Sequence, residues 1–108
     1  MEVDPFEVQR LCQANAVKWT SHVAQRLILR NISPDEVIDV LMHGEIIEQY
    51  PTDYPYPSCL VFSVVHHQRP LHVVCSIGEE QVFIITAYEP DPNRWDDSFK
   101  YRKQEADE

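Results

Sequence analysis

Glycine is nearly missing from this chain: its 108 residues include only Gly44 and Gly78. A phosphate cradle needs several glycines so that backbone amides can turn toward the anion, and a Gly-rich nucleotide loop is therefore excluded. Lysine is almost as scarce, with only Lys18, Lys100 and Lys103. Nine basic residues face 18 acidic ones, a formal charge of −9 that opposes nonspecific attachment to polyphosphate. Three cysteines (Cys12, Cys59 and Cys75) cannot all pair, and none lies in a Cys-x-x-Cys spacing. Reduced, mostly buried thiols are favoured over metal ligands, and no metal or other cofactor is expected. No apolar run approaches the ~18 residues of a membrane helix, and the N-terminus lacks the basic-then-apolar order of a signal peptide. The expectation is a cytoplasmic protein without a membrane partner. A single domain over residues 1–108 is expected, because 44% hydrophobic residues suffice for one core.

The charge is unevenly placed. Glu105, Asp107 and Glu108 make an acidic tail at 104–108, expected to be disordered, and Asp91, Asp96 and Asp97 sit in a loop. Residues 17–34 carry Lys18, Arg26 and Arg30 and no acid. A short-range positive patch can survive there even though long-range steering is poor.

Hydrophobic spacing divides the chain at Gly44. Before it, helices are expected at about 5–15, 21–31 and 34–43. Asp4-Pro5 opens the first, Thr20 or Ser21 caps the second, and Ser33-Pro34-Asp35-Glu36 reads as a capping box. Gly44 is expected to end the third in a left-handed conformation. After it, β-branched and aromatic runs predict strands at about 45–50, 59–66, 70–77 and 81–88, joined by hairpin turns at His67 and Glu79-Glu80. Helices followed by a meander predict an α+β fold, with N-terminal helices packed on a four-stranded antiparallel sheet. Val23, Leu27, Val37, Leu41, Phe62, Val74 and Ile84 are expected in one core.

Two groups could carry chemistry. His22, Arg26 and Arg30 recur every fourth residue along one side of the second helix. A titratable imidazole beside two guanidinium forks suits an anionic ligand and one proton transfer. A surface helix whose arginines meet carboxylates fits the same spacing. On the strands, hairpin pairing puts His72 opposite Thr86 or nearby, with Tyr88 diagonal to it. These three form either a polar pocket rim or a buried histidine bonded to a hydroxyl. His66-His67 with Cys59, Cys75 and His72 has no recognised metal-ligand spacing.

The pattern His22-x3-Arg26-x3-Arg30-x-Ile32-Ser33 before an acidic-capped helix resembles the opening of a widespread prokaryotic domain of unknown function. Pro70-Leu71-His72-Val73-Val74 and Ile84-Ile85-Thr86-Ala87-Tyr88-Glu89-Pro90 are similar to its later blocks, so the resemblance spans about residues 17–95. That family is grouped with RelE/BrnT-like toxins, which implies a RelE-like fold of helices on a small antiparallel sheet. It also implies endoribonuclease activity in a toxin–antitoxin pair, with a small antitoxin, of zinc-ribbon type in many relatives, as partner.

Two functions follow as expectations. In the first, the chain cleaves RNA without a metal: His22, His72 and Tyr88 are catalytic, Arg26 and Arg30 bind phosphate, and Thr86 supports them. In the second, the chain is a non-catalytic protein-interaction module that retains the RelE-like fold. The histidine–arginine ladder favours the first, and the acidic surplus with its exposed Pro/Tyr loop favours the second.

Overall fold

The structure is a computed structural model and describes residues 1–103; the acidic tail expected at 104–108 lies outside the described residues. Three helices begin where the sequence offers caps. Asp4 accepts from the Phe6 amide at 2.9 Å and opens α1, Pro5–Gln13. Thr20 accepts from the Val23 amide at the start of α2, Ser21–Leu29. Ser33 and Glu36 exchange side-chain bonds with each other's amides at the head of α3, Pro34–His43, a complete capping box.

Helices α1 and α2 stop two residues before their expected ends. Asn15 and Asn31 take φ of 58° and 56° just beyond them, using the left-handed conformation that asparagine tolerates better than most residues. Gly44 does not serve that role. Its φ is −86°, in extended backbone. A Cβ there would lie 2.5 Å from both the Phe62 and Val40 carbonyl oxygens, so close packing against the neighbouring strand demands the glycine.

The sheet corrects the expected four antiparallel strands to five mixed ones, in the order β1-β5-β4-β3-β2. The strands are β1 Val17–Lys18, β2 Glu45–Tyr50, β3 Ser58–Val65, β4 Arg69–Gly78 and β5 Gln81–Tyr88. The last four are antiparallel neighbours, but β1 runs parallel to β5 through Val17–Val82 and Lys18–Phe83. Two residues are too short to show periodicity, which is why β1 left no pattern in the sequence. Beyond Phe83, β5 has no strand partner on that side among the described residues.

All three helices pack on one face. Val8, Leu11, Val23, Leu27, Val37, Val40 and Leu41 meet Cys59, Val61, Leu71, Val73, Cys75, Val82 and Ile84 in the core. Phe62 and Val74, expected in that core, lie on the opposite face. A bulge explains the error: Val74 pairs with Thr86 but Cys75 pairs with Ile84, leaving Ile85 as the extra residue. One inserted residue reverses inward and outward positions, so Ile84 and Thr86 fall on different faces.

The polar segment after Glu89 is ordered through Lys103. It folds back as a short hairpin, with Trp95 bridged to Arg102 and the Lys103 amide bonded to the Arg94 carbonyl at 2.8 Å. Trp95 is 3% exposed. This segment covers the sheet face that the helices leave open.

Candidate active site on the helix-free face

His72 occupies the middle of β4, the central strand, with 0% exposure. Its cross-strand partners are Phe62 on β3 and Tyr88 on β5, both meeting its ring edge to face. Tyr88 is therefore directly opposite His72 rather than diagonal to it, and Thr86 lies two residue pairs away, opposite Val74. Trp95 closes the top of the imidazole, 4.5 Å between ring centroids.

The tautomer follows from the hydrogen bond. His72 Nε2 lies 2.7 Å from the Phe99 carbonyl oxygen, which can only accept, so Nε2 carries the proton. Burial pushes the His72 pKa below its ordinary value, outweighing the Phe99 bond and the charge of Glu48. The ring is therefore neutral near pH 7, with its lone pair on Nδ1. That atom is buried and has no hydrogen-bond partner. A buried basic nitrogen without a donor is uncommon in folded proteins and makes His72 a candidate for chemistry.

Phe99 is held for this bond by an unusual backbone. Its φ is 61°, a strained conformation for an aromatic residue. The Asp96 carboxylate accepts from the Ser98 amide and hydroxyl, and the Phe99 amide bonds to the Asp96 carbonyl at 2.9 Å. The turn thus aims one carbonyl into the face.

Charge enters from β2 and from the covering segment. Arg102 forks onto Glu48 through Nε and Nη2, at 2.9 and 3.1 Å. The same guanidinium lies 4.7 Å over the Trp95 ring. Tyr50 donates its hydroxyl to Glu48. Despite partial burial, the Arg102 and Tyr50 bonds keep the Glu48 pKa below the usual carboxylate range. Burial and the bond to Glu48 push Tyr50 up to about 12. Tyr88 is also raised, chiefly by burial, and its hydroxyl senses Arg102, Glu48 and Arg30. A carboxylate, an imidazole, a phenol and a guanidinium thus share one surface.

The residues expected from sequence fall into three placements. His72 and Tyr88 meet on this face. Arg30, just past α2, donates from Nη1 to Thr86 Oγ1 at 3.1 Å and to the Ala87 carbonyl at 2.8 Å, tying the helix end to the unpaired edge of β5. His22 and Arg26 stand exposed on α2. Glu48, Tyr50, Trp95 and Arg102 were not singled out from sequence. No motif spacing marks any of these four.

A separate cleft of about 580 Å³ opens between the α2–α3 corner and the β3–β4 turn, lined by Arg30, Glu36, His66, His67, Arg69 and Glu89. It does not include His72. Arg69 is fully engaged there, donating to Glu89 at 2.7 Å and to the Asn31 and Arg30 carbonyls at 2.7 and 2.9 Å. It caps the end of α2 instead of offering its guanidinium to a ligand. Among the described residues, no group of three or more His, Cys, Asp or Glu side chains could hold a metal ion. No helix of the described residues is long and apolar enough to cross a membrane.

Fold and face together define a small α+β domain with three helices on one side of a mixed sheet and a polar, tryptophan-covered cluster on the other. Residues 19–89 match the family described as Domain of unknown function (DUF4258), and the chain belongs to that family. No curated protein matches the chain. The family match takes in α2 through β5 and hence His22, Arg26, Arg30, Glu48, His72, Thr86 and Tyr88; Trp95 and Arg102 lie beyond it.

Proposed function

We propose that this chain is a toxin-like endoribonuclease that cleaves RNA without a metal ion and is countered by a small antitoxin. The observation that carries the reading is the neutral His72, its Nε2–H fixed on a carbonyl and its buried Nδ1 lone pair left free, directly opposite Tyr88 and on the same sheet face as Glu48, whose own row is Leu60–Val74–Thr86. Cleavage begins when His72 Nδ1 takes the proton from a ribose 2′-hydroxyl. The 2′-oxygen then bonds to phosphorus, and the bond from phosphorus to the 5′-oxygen breaks. The departing oxygen takes a proton from the Tyr88 hydroxyl. Arg30 at the β5 edge balances the charge on the phosphate. The exposed His22 and Arg26 on α2 extend the same side toward flanking phosphates. The sequence blocks resemble a domain-of-unknown-function family, and the grouping of that family with RelE/BrnT-like toxins suits the same reading.

Trp95 seals the imidazole, so RNA enters only when the 89–103 segment lifts. The test is incubation of the purified chain with an RNA oligonucleotide in the presence of a chelator. Wild type should cleave, and His72→Ala should lose roughly 10²–10⁴-fold, as removal of an acid–base group does. Equal cleavage by both proteins overturns the role of His72.

The sealed face and the charge of −9 favour a second reading, a non-catalytic module that binds a protein partner. Under that reading no RNA is cut. Growth arrest on expression, if present, would then survive His72→Ala.

A further inference from the structure

The only pair of facing thiols among the described residues lies outside the row proposed for RNA chemistry. Cys59 on β3 and Cys75 on β4 are direct cross-strand partners with sulfurs 3.8 Å apart. Both are free thiols, 0% exposed, on the helix-packed side of the sheet. We infer that this pair is a modification site, a dithiol that two-electron oxidation by a peroxide closes into a cross-strand disulfide.

Backbone geometry permits the bond. Directly opposed strand residues have Cα atoms about 4.5–5.5 Å apart, within the ~4.4–6.8 Å range of disulfides. The sulfurs need only approach from 3.8 Å to about 2.05 Å, a matter of side-chain torsion without moving a strand.

The short contact sets the chemistry. Either sulfur can donate its S–H to the other, and the thiolate so stabilised is the reactive form. That thiolate attacks one peroxide oxygen; the O–O bond breaks and the cysteine becomes a sulfenic acid. The facing cysteine then attacks the oxidised sulfur, the S–O bond breaks and the oxygen leaves as water. Overall, two thiols and one peroxide give a disulfide and water, or water and an alcohol from an organic peroxide. Hydrogen peroxide is small enough to reach the pair during transient opening of the core.

The bond would lie three residue pairs from Phe62–His72 on the same two strands and would fix their register. It closes a loop from Cys59 to Cys75, which constrains the unfolded chain and raises the melting temperature.

The experiment treats both the full chain and Cys12→Ser with hydrogen peroxide, removes the excess, unfolds, alkylates and maps the peptides. Cys12 is half-buried on α1 and is the competing target. The expected product is a Cys59–Cys75 linked peptide in both proteins, reversed by dithiothreitol, with a melting temperature several degrees above the reduced form. Full alkylation of Cys59 and Cys75 after treatment, or sulfinic acid at either without a link, overturns the assignment. So does oxidation confined to Cys12 in the full chain.

Discussion

His72 and Trp95 meet edge to face at 86°, and the second ring excludes water from the first. The contact joins the central strand to a segment that a sequence reading leaves as polar tail. Trp95→Ala should therefore loosen the cover without dissolving the helix-side core. Mass-spectrometric exchange of the His72 ring C2 hydrogen reports on this directly. We expect exchange several-fold faster in the variant, with α-helical circular dichroism retained. An unchanged exchange rate would mean that the hairpin is not what shields the ring.

Burial of neutral His72 also fixes the sign of a pH dependence. The unfolded chain takes up the proton near the ordinary value of 6.5, and the folded chain only at lower pH. Stability from this group is fully present above about pH 6.5 and is lost as pH falls toward and through the folded pKa. The slope is at most ~1.4 kcal/mol per pH unit. Denaturant midpoints between pH 5 and 7.5 should decline on the acid side, and His72→Gln should flatten that decline. Glu48 does not confuse the measurement, since its pKa lies below 4.5.

Helix α3 is the element most firmly set in the core. Val37 and Val40 are 0% exposed and Leu41 is 3% exposed. Leu41→Ala should cost about 2–5 kcal/mol in denaturant melts, as large-to-small core changes do. A loss below ~1 kcal/mol would place the side chain outside the packed core.

Gly44→Ala tests a different constraint. The added methyl would meet two backbone oxygens at 2.5 Å, and neither can swing aside like a side chain. Overpacking of this kind costs about 1–3 kcal/mol. The smaller conformational freedom of alanine in the unfolded chain acts in the opposite direction, so a stabilised variant would contradict the close approach.

Much of this architecture was legible because caps and periodicity are local signals. Asp4, Thr20 and the Ser33–Glu36 box each begin a helix, and alternating β-branched residues mark four strands. The failures have physical causes of the opposite kind. Strand β1 is two residues long and is defined by its pairing with β5, where the Val82 amide bonds to the Ala16 carbonyl. The bulge at Ile85 is a property of a strand pair, invisible in either strand alone, and it misplaced Val74 against Ile84. Of the candidate site, the shared face of His72 and Tyr88 is legible because hairpin pairing is nearly local, but their direct opposition is not, since the bulge at Ile85 shifts the register. Glu48 and Arg102 come together over 54 residues of chain, a distance no motif spacing conveys. Trp95 stands alone in the sequence with no spacing to mark it, yet it decides the solvent access of the imidazole.

The most direct measurement uses one RNA oligonucleotide in two forms, all-ribose and with 2′-deoxyribose throughout, incubated with chelator and the wild-type chain. The mechanism predicts cleavage of the ribose form alone, leaving a 2′,3′-cyclic phosphate on one product and a 5′-hydroxyl on the other. Tyr88→Phe should slow it markedly, and His72→Ala should slow it roughly 10²–10⁴-fold. An uncut ribose strand under conditions where the 89–103 hairpin is opened by Trp95→Ala, or cutting of both forms alike, would contradict the account.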